Sequence, residues 1–427
     1  MKNQNETKQL NQILDAILRI CRNGEKTALK PETNVLLDEI EGMIRGIHVE
    51  DYDLDLVPEI TDKPPEHYLG LAMERIERIP ESELSENQRA HLHLEIGKAH
   101  FLLGDLDTAR EKFASAQKMA QDLTLDELRA DALKRMGDID FRKNRYKEAE
   151  EKYGHSLRLY ETLKNLEGQA TILNDIGTIA CYDSDWPRAE KLFGDCLAIA
   201  HKTGNTRLLA KVNNNLGIAC NIQGKYDNAH AHFQQALPRF MQLGEDNGVA
   251  EVYNNLGLYH ARQGDWSEAG SCYEKAVHHS KKADNVYLTA VAYIQRAELC
   301  VTMSNWQAAK KYCDKAIDCF IKIKNREGVA EGYKLLGCIQ RERGNYDVAR
   351  TLLEKARGVC VEIGNKLNEA ETLVELGKLA RMENKHDQAA EDFDRAIALM
   401  EQIDAKDEVE KIKELKASEE QESLFAF

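Results

Sequence analysis

A strict 40-residue period is the feature that most limits how this chain of 427 residues can fold. A small residue recurs at a marker position in steps of 40, and an alanine follows each marker by twelve residues. The markers are Gly97, Gly137, Gly177, Gly217, Gly257, Ala297, Gly337 and Gly377, and the alanines are Ala109, Ala149, Ala189, Ala229, Ala269, Ala309, Ala349 and Ala389. A single compact core is unusual at this length, and repetition without insertions indicates a stacked array of like units.

Each unit has the sequence pattern of two helices joined by a turn. Sixteen residues after the marker the chain has Phe113, Tyr153, Phe193, Phe233, Tyr273, Cys313, Leu353 and Phe393, and a small residue follows three positions later, which is a helical spacing. The pairs Gly104-Asp105 and Gly224-Lys225 lie between the two helices, where glycine ends a helix without a Cβ penalty. Because one hairpin cannot bury its own apolar face, we expect small markers to let neighbouring backbones approach, with the bulky residue filling the remaining space.

The links between units contain Asn or Gly, and we interpret them as helix exits in which these residues take the left-handed conformation. They lie at Asn165, Gly204-Asn205, Asn285, Asn325 and Gly364-Asn365. The second helix opens with an aromatic residue in six units, including three tryptophans at one repeat position, which indicates packing residues rather than an aromatic cage.

These residues resemble the tetratricopeptide repeat family, whose pattern of Leu-Gly, Ala, aromatic and Ala is met by Leu216-Gly217, Ala229, Phe233 and Ala236. The unit is longer than the common one of about 34 residues. In this it is similar to the long-repeat branch found in spindle-orientation adaptors, kinesin light chains and bacterial peptide-sensing regulators. The resemblance implies an all-α fold, a right-handed α-α superhelix (a TPR solenoid) of eight helix-turn-helix repeats with helical caps.

The predicted organisation follows from the period. Residues 90–409 hold eight repeats, which start at about 90, 130, 170, 210, 250, 290, 330 and 370. Residues 1–66 are predicted to form an N-terminal helical and acidic extension, residues 67–89 a capping helix and link, and residues 410–427 a charged C-terminal helix and tail. Terminal repeats need such caps to cover their open faces.

Composition narrows the class of partner. The formal net charge of −15 disfavours nucleic acid, which requires a basic face, and disfavours anionic membranes. We find no apolar run near the roughly 18 residues that span a bilayer and no signal peptide in the polar N-terminus, so we expect a cytoplasmic protein. The ten cysteines form no C-x-x-C pair, which predicts buried thiols without disulfides, metal or cofactor.

The resemblance places the first helices on a concave groove, at offsets −6, −3, +1, +4 and +5 from each marker. Asn174, Asn214 and Asn254 recur there at the repeat spacing, and carboxamides can pair with both groups of a peptide backbone. The alternative is that asparagine is simply common in this helix. The other candidate peptide-binding residues are Asn221, Tyr182, Lys134, Arg142, Lys211, Arg262, Lys334 and Arg341, although charges on a helix face are usually only solvated. Acidic residues share these offsets, namely Asp131, Asp138, Glu251, Glu298, Glu331, Glu342 and Glu371.

No catalytic motif accompanies the repeats. Walker, G-x-G-x-x-G and H-E-x-x-H patterns are absent, and the histidine pairs have poor spacing for a metal. The carboxylate clamp of chaperone-binding relatives is also missing, because the positions after Lys134 carry Asp138 and Asp175. The sequence therefore predicts a non-catalytic scaffold or adaptor that binds a peptide or protein segment in the groove. The alternative is a regulator that responds to a peptide or metabolite. The apolar tip Leu424-Phe425-Ala426-Phe427 suggests self-association through the tail, with a frayed terminus as the alternative.

Overall fold

The computed structural model of this chain describes the backbone of residues 4–22, 37, 40, 72–76, 78–403 and 405–424. Side chains are described for residues 12–21, 37, 40, 72–76, 78–403 and 405–417. Over these residues the regular structure is helical. The chain divides into two compact units, Met1–Gly244 and Glu245–Phe427, called here unit 1 and unit 2.

Eight helical hairpins account for most of the chain, four in each unit. Their first helices are α2 (Glu86–Leu103), α4 (Asp126–Arg142), α6 (Leu166–Tyr182), α8 (Thr206–Ile222), α10 (Asp246–Arg262), α12 (Val286–Thr302), α14 (Arg326–Glu342) and α16 (Lys366–Met382). Their second helices are α3 (Leu106–Asp122), α5 (Tyr146–Thr162), α7 (Trp186–Thr203), α9 (Tyr226–Gln242), α11 (Trp266–Lys282), α13 (Trp306–Lys322), α15 (Tyr346–Ile363) and α17 (His386–Gln402). Two further helices, α1 (Gln4–Arg22) and α18 (Lys406–Leu424), flank the repeats.

In seven of the eight repeats the marker glycine of the first helix packs directly against the bulky residue of the second helix. A Cβ built on Gly97 would lie 2.6 Å from the ring of Phe113, and one on Gly177 would lie 2.7 Å from the ring of Phe193. Real Cβ atoms do not approach other atoms so closely, so these rings occupy the space that the absent side chain leaves. The expected role of the small marker is confirmed.

Repeat 6 follows the same packing rule with a slightly larger marker residue and a smaller residue opposite it. It carries Ala297 at the marker and Cys313 sixteen residues later, and both are fully buried. The added methyl group is matched by a residue smaller than the aromatics of the other repeats. The alanines twelve residues after the markers are at most 2% exposed in all eight repeats, as close contact between helices requires.

The turns within and between the hairpins have one geometry, which corrects the sequence interpretation of the asparagines. Gly204 and Gly364 are left-handed as expected, with φ of 66° and 69°. Asn165 is not left-handed, because Lys164 before it takes that conformation with φ 55°. Asn165 instead caps α6, where its Oδ1 accepts a hydrogen bond from Gly168 N at 2.9 Å.

These cap asparagines also connect successive repeats. The Nδ2 of Asn205 donates to Glu167 at 3.1 Å, and the Nδ2 of Asn365 donates to Glu327 at 2.8 Å. Each amide therefore satisfies the end of its own helix with its oxygen and holds the preceding first helix with its nitrogen. The tendency of asparagine to adopt the left-handed conformation predicted that these residues end a helix, whereas each of them precedes the start of one.

Both flanking helices cover the end of an array. Leu14, Ile17 and Leu18 of α1 are buried in one cluster with Met73, Ile76 and residues of α2. In unit 2, Val409 and Ile412 of α18 are buried against α16 and α17. Of the predicted N-terminal extension and capping helix, residues 1–3, 23–36, 38–39, 41–71 and 77 lie outside the described residues, as do residues 425–427 of the C-terminal tip.

Candidate binding site

We call the residues at offsets −6, −3, +1, +4 and +5 of the first helices the first-helix face, and each unit has its own. All eleven candidate residues belong to it by offset. The surroundings of these residues differ between unit 1 and unit 2.

In unit 1 the amides are largely occupied by neighbouring groups. Asn174 Oδ1 accepts a hydrogen bond from Asn215 Nδ2 at 2.9 Å, and its own Nδ2 lies 3.3 Å from Asp175 Oδ1. Asn214 and Asn221 are each only 5% exposed. A guest chain would have to compete with these contacts, so the ligand role of these amides stays a prediction.

Lys134 is a candidate cation of unit 1 that is held by two carboxylates. Its Nζ lies 2.9 Å from Asp138 and 3.2 Å from Asp175, and the Lys134 side chain is 16% exposed. Burial lowers the pKa of Lys134, but the carboxylates of Asp175 and Asp138 outweigh it and the pKa is raised. Asp138 also accepts a hydrogen bond from the Tyr153 hydroxyl at 2.9 Å. This polar cluster ties repeat 2 to repeat 3 through the ion pair of Lys134 with Asp175.

Other candidates of unit 1 lie where the first helices end. The Tyr182 ring is 60% exposed and stacks on Tyr146 with 5.0 Å between centroids. The guanidinium of Arg142 covers the ring of Phe101 at 3.8 Å. Lys211, at offset −6 near the start of α8, is exposed. These side chains are accessible to a partner, whereas Lys134 is not.

In unit 2 the candidate cations lie among carboxylates. Lys334 pairs with Glu371, and Arg341 lies 2.5 Å from Glu375 and 3.1 Å from Glu342. Arg262 is exposed at the end of α10. Asn254 is half-buried, and its Oδ1 is a buried acceptor without a hydrogen-bond partner in the described part of the chain.

The first-helix face of unit 2 contains an open cavity of about 360 Å³. This volume lies at the lower end of the range of small ligand sites. Its polar lining consists of Glu298, Glu331, Lys334, Glu371, Glu375, Glu408, Lys411 and Cys338. Its apolar lining consists of Ile294, Leu335, Val374, Met400, Ile412 and Leu415. We call this cavity the acidic pocket.

Two of these carboxylates have raised pKa values. Burial, with a contribution from Glu331, raises the pKa of Glu298 to about 7. Burial also raises the pKa of Glu331, aided by Glu371. Sequence analysis noted these glutamates but assigned the binding role to cations and amides. The available signal was that Glu331 and Glu371 recur at offset −6 of successive repeats, whereas no sequence signal indicated that α18 lines the pocket.

Other kinds of site find little support in the described residues. They contain no group of three or more His, Cys, Asp or Glu placed to hold a metal ion. None of their helices combines the length and apolar character needed to cross a bilayer. All ten cysteines are free thiols.

A tetratricopeptide repeat family model matches residues 88–162, 168–242, 208–282, 248–322, 288–360 and 341–402. No curated protein is significantly similar to the chain in sequence. The regions matched by the family model cover most of the helical repeats.

Three solved structures illustrate the similarity of the fold. A Rap protein complexed with Competence and Sporulation Factor is 14% identical, with TM-score 0.58 over 88% of this chain and 99% of that one. A STAND signal-transduction ATPase with a tetratricopeptide repeat sensor, from Pyrococcus horikoshii, is 11% identical, with TM-score 0.56 over 96% of this chain and 66% of that one. Yeast Tom70 is 16% identical, with TM-score 0.53 over 89% and 74%. At such identities the similarity shows the fold alone.

Proposed function

Because this chain belongs to the tetratricopeptide repeat family, we propose that it is a non-catalytic scaffold or adaptor that binds a segment of another polypeptide on its first-helix faces. The observation that carries the proposal is the acidic pocket, which lies on the first-helix face of unit 2 and is open to solvent. Exposed residues of the same face in unit 1, such as Lys211 and Tyr182, provide a second surface for contact.

Site-specific photo-crosslinking tests this proposal in the full chain. A photoreactive amino acid replaces Lys211 in unit 1 or Glu251 in unit 2, both exposed on first helices. The matched controls carry it at Gln235 and Lys275, which are exposed on second helices. We expect partner polypeptides to crosslink to the first pair of positions and not to the second. Equal crosslinking from all four positions would contradict binding on the first-helix faces.

The amides that sequence analysis selected can be ranked by their surroundings. Asn254 has a buried oxygen without a partner in the described part of the chain, whereas the Asn174 amide is held by Asn215. An unmet buried acceptor gains more from a guest N–H than one already paired. We therefore propose that Asn254→Ala weakens partner recovery and Asn174→Ala does so less. A larger loss of partner recovery with Asn174→Ala than with Asn254→Ala would contradict this ranking.

A regulator that responds to a ligand is the second candidate. It is supported by the fold shared with a Rap protein solved with a bound factor and with a protein that has a repeat sensor. Small-angle scattering with and without a captured partner segment separates the two functions. A scaffold keeps its radius of gyration, whereas a sensor becomes more compact.

Compartment and self-association rest on the sequence. Ten free thiols support a reducing compartment such as the cytoplasm. Self-association through the C-terminal tip is tested by deleting residues 421–427 and measuring the mass in solution. An unchanged mass would exclude it.

A further inference from the structure

The acidic pocket has a surplus of negative charge that its own cations do not balance. Glu371 pairs with Lys334, and Glu408 lies 2.6 Å from Lys411. Glu375 is held by cations beside the pocket, Arg341 at 2.5 Å and Lys378 at 2.7 Å. The remaining two carboxylates are those of Glu298 and Glu331.

Glu298 and Glu331 have no ion pair and no side-chain hydrogen bond within the described part of the chain. Both residues keep part of their surface open to solvent at the pocket, although the surrounding protein desolvates their carboxylates. The neighbouring carboxylate of Glu331 helps to raise the pKa of Glu298, and that of Glu371 helps to raise the pKa of Glu331. A cation placed between them would remove this repulsion and gain charge-assisted hydrogen bonds.

The rest of the lining indicates what kind of cation fits. Ile294, Leu335 and Val374 come from the first helices, and Ile412 and Leu415 come from α18. Apolar walls stabilise a ligand with its own hydrocarbon part rather than a hydrated ion. The described residues also provide no cluster of three metal ligands. A lysine or arginine side chain joins an aliphatic stem to a cationic head and satisfies both features.

We propose that the acidic pocket binds a lysine or arginine side chain of the partner polypeptide, with Glu298 and Glu331 receiving its cationic head. The apolar wall from α18 receives the stem and the aliphatic neighbours of that residue. Glu298 and Glu331 thus determine specificity. The inference rests on the proposed function, because it names the segment that the first-helix face of unit 2 selects.

Fluorescence anisotropy with designed peptides tests this selection in the full chain. The probe is a labelled hexapeptide of leucine and glycine with one central lysine. The comparison peptides carry arginine, norleucine or glutamate at that position. Norleucine keeps the hydrocarbon stem and removes the charge. We expect lysine and arginine peptides to bind about tenfold more tightly than norleucine, and glutamate most weakly.

Variants assign the effect to the two carboxylates. The double variant Glu298→Gln/Glu331→Gln is expected to bind the lysine peptide about tenfold more weakly and the norleucine peptide as before. Glu391→Gln is the matched control, because it removes one exposed carboxylate from a second helix of the same unit. Circular dichroism confirms that each variant is folded.

Each outcome separates the two proposals. Equal affinity of wild-type protein for lysine and norleucine, or an unchanged lysine preference in the double variant, overturns the selection of a cation while peptide binding stands. Crosslinking on second helices alone would reject the proposed function itself. Displacement of the lysine peptide by millimolar Ca²⁺, with saturation at one ion, would identify a metal site instead and reject a side-chain site.

Discussion

Lys134 in unit 1 and Lys334 in unit 2 occupy the same repeat position, three residues before the marker glycine, yet their surroundings differ. Lys134 is held by two carboxylates that are 14% and 24% exposed. Lys334 is held by Glu371, whose side chain is 43% exposed. One repeat position therefore gives an internal structural link in unit 1 and part of an open pocket in unit 2.

The comparison shows that offset within the repeat does not determine availability to a partner. In unit 1 the next repeat supplies Asp175 as an ion-pair partner of Lys134. In unit 2 Glu298 and Glu331 have no ion-pair partner among the described residues. Polar contacts join successive repeats in both units, and unit 2 in addition has a charge surplus at a cavity.

The largest effect is expected from removing the cation in unit 1. Lys134→Met leaves the half-buried Asp175 without an ion pair in the described residues and leaves Asp138 with Arg135 alone. We expect a loss of about 3 kcal/mol in the free energy of unfolding, measured by urea denaturation. Lys334→Met leaves a more exposed carboxylate and should cost about 1 kcal/mol or less. Equal losses would show that the two lysines have equivalent roles.

The next effect concerns the packing rule that both units share. Gly217→Ala forces a methyl group into the ring of Phe233 and should cost about 2 kcal/mol. Phe233→Cys opens a cavity by itself, but it should cost less in the Gly217→Ala background than in the wild type, because the two substitutions together reproduce the pair of repeat 6 in unit 2. Gly194→Ala is the control, since its new Cβ meets nothing within 4 Å, and it should stabilise by about 1 kcal/mol. Two substitutions with the same sign would contradict the packing explanation.

A pH-dependent effect is expected in unit 2 from Glu298. Its pKa of about 7 lies above the ordinary value, so its contribution to stability is present below about pH 4.5 and is lost as the pH rises through 7. Charged Lys334 and the carboxylate of Glu331 face it, and Tyr273, whose own pKa is raised by burial, stays neutral. Between pH 5 and 8 the wild type should lose stability relative to Glu298→Gln. Parallel stability curves for the two proteins would disprove the shift.

The smallest effect should be equal in the two units. Ser184 and Ser304 take the left-handed conformation with φ of 57° and 55°. Glycine avoids the Cβ penalty there but loses more backbone entropy, so Ser184→Gly and Ser304→Gly should each stabilise by roughly 0.5–1 kcal/mol. Thermal unfolding of both variants measures this. A gain in one unit alone would mean that the turns, too, differ between the units.

Much of the fold could be predicted because its information is local and repeated. The periodic small residues, the bulky residue sixteen positions later and the glycine turns each specify a contact within one hairpin. The cap asparagines show the limit of such reasoning. Asn165 was assigned by propensity to a helix exit, but it begins the next helix, because Lys164 takes the left-handed position and the Asn165 amide is then free to cap α6 and contact Glu127.

The candidate binding residues were harder to predict, because residues about one repeat away decide whether each of them is paired within the protein or available to a guest chain. Asn174 is paired with Asn215 across 41 residues, and Lys134 with Asp175 in the next repeat. The repeat offsets predicted the first-helix face as the binding surface, but they could not distinguish residues that bind each other from residues that remain available. It favoured cations and amides, whereas the open cavity is bordered by carboxylates.

The amino-acid sequence by itself determined the tetratricopeptide hairpin, its number of copies and the packing of small against bulky residues, since these follow from spacing along one chain. Only the tertiary structure decided which polar side chains neutralise one another, and that α18 completes a pocket with the first helices of unit 2. The physical reason is that electrostatic pairing and cavity shape depend on which side chains of different repeats face each other. The repeat period keeps the backbone positions equivalent, but the side chains at those positions differ from repeat to repeat.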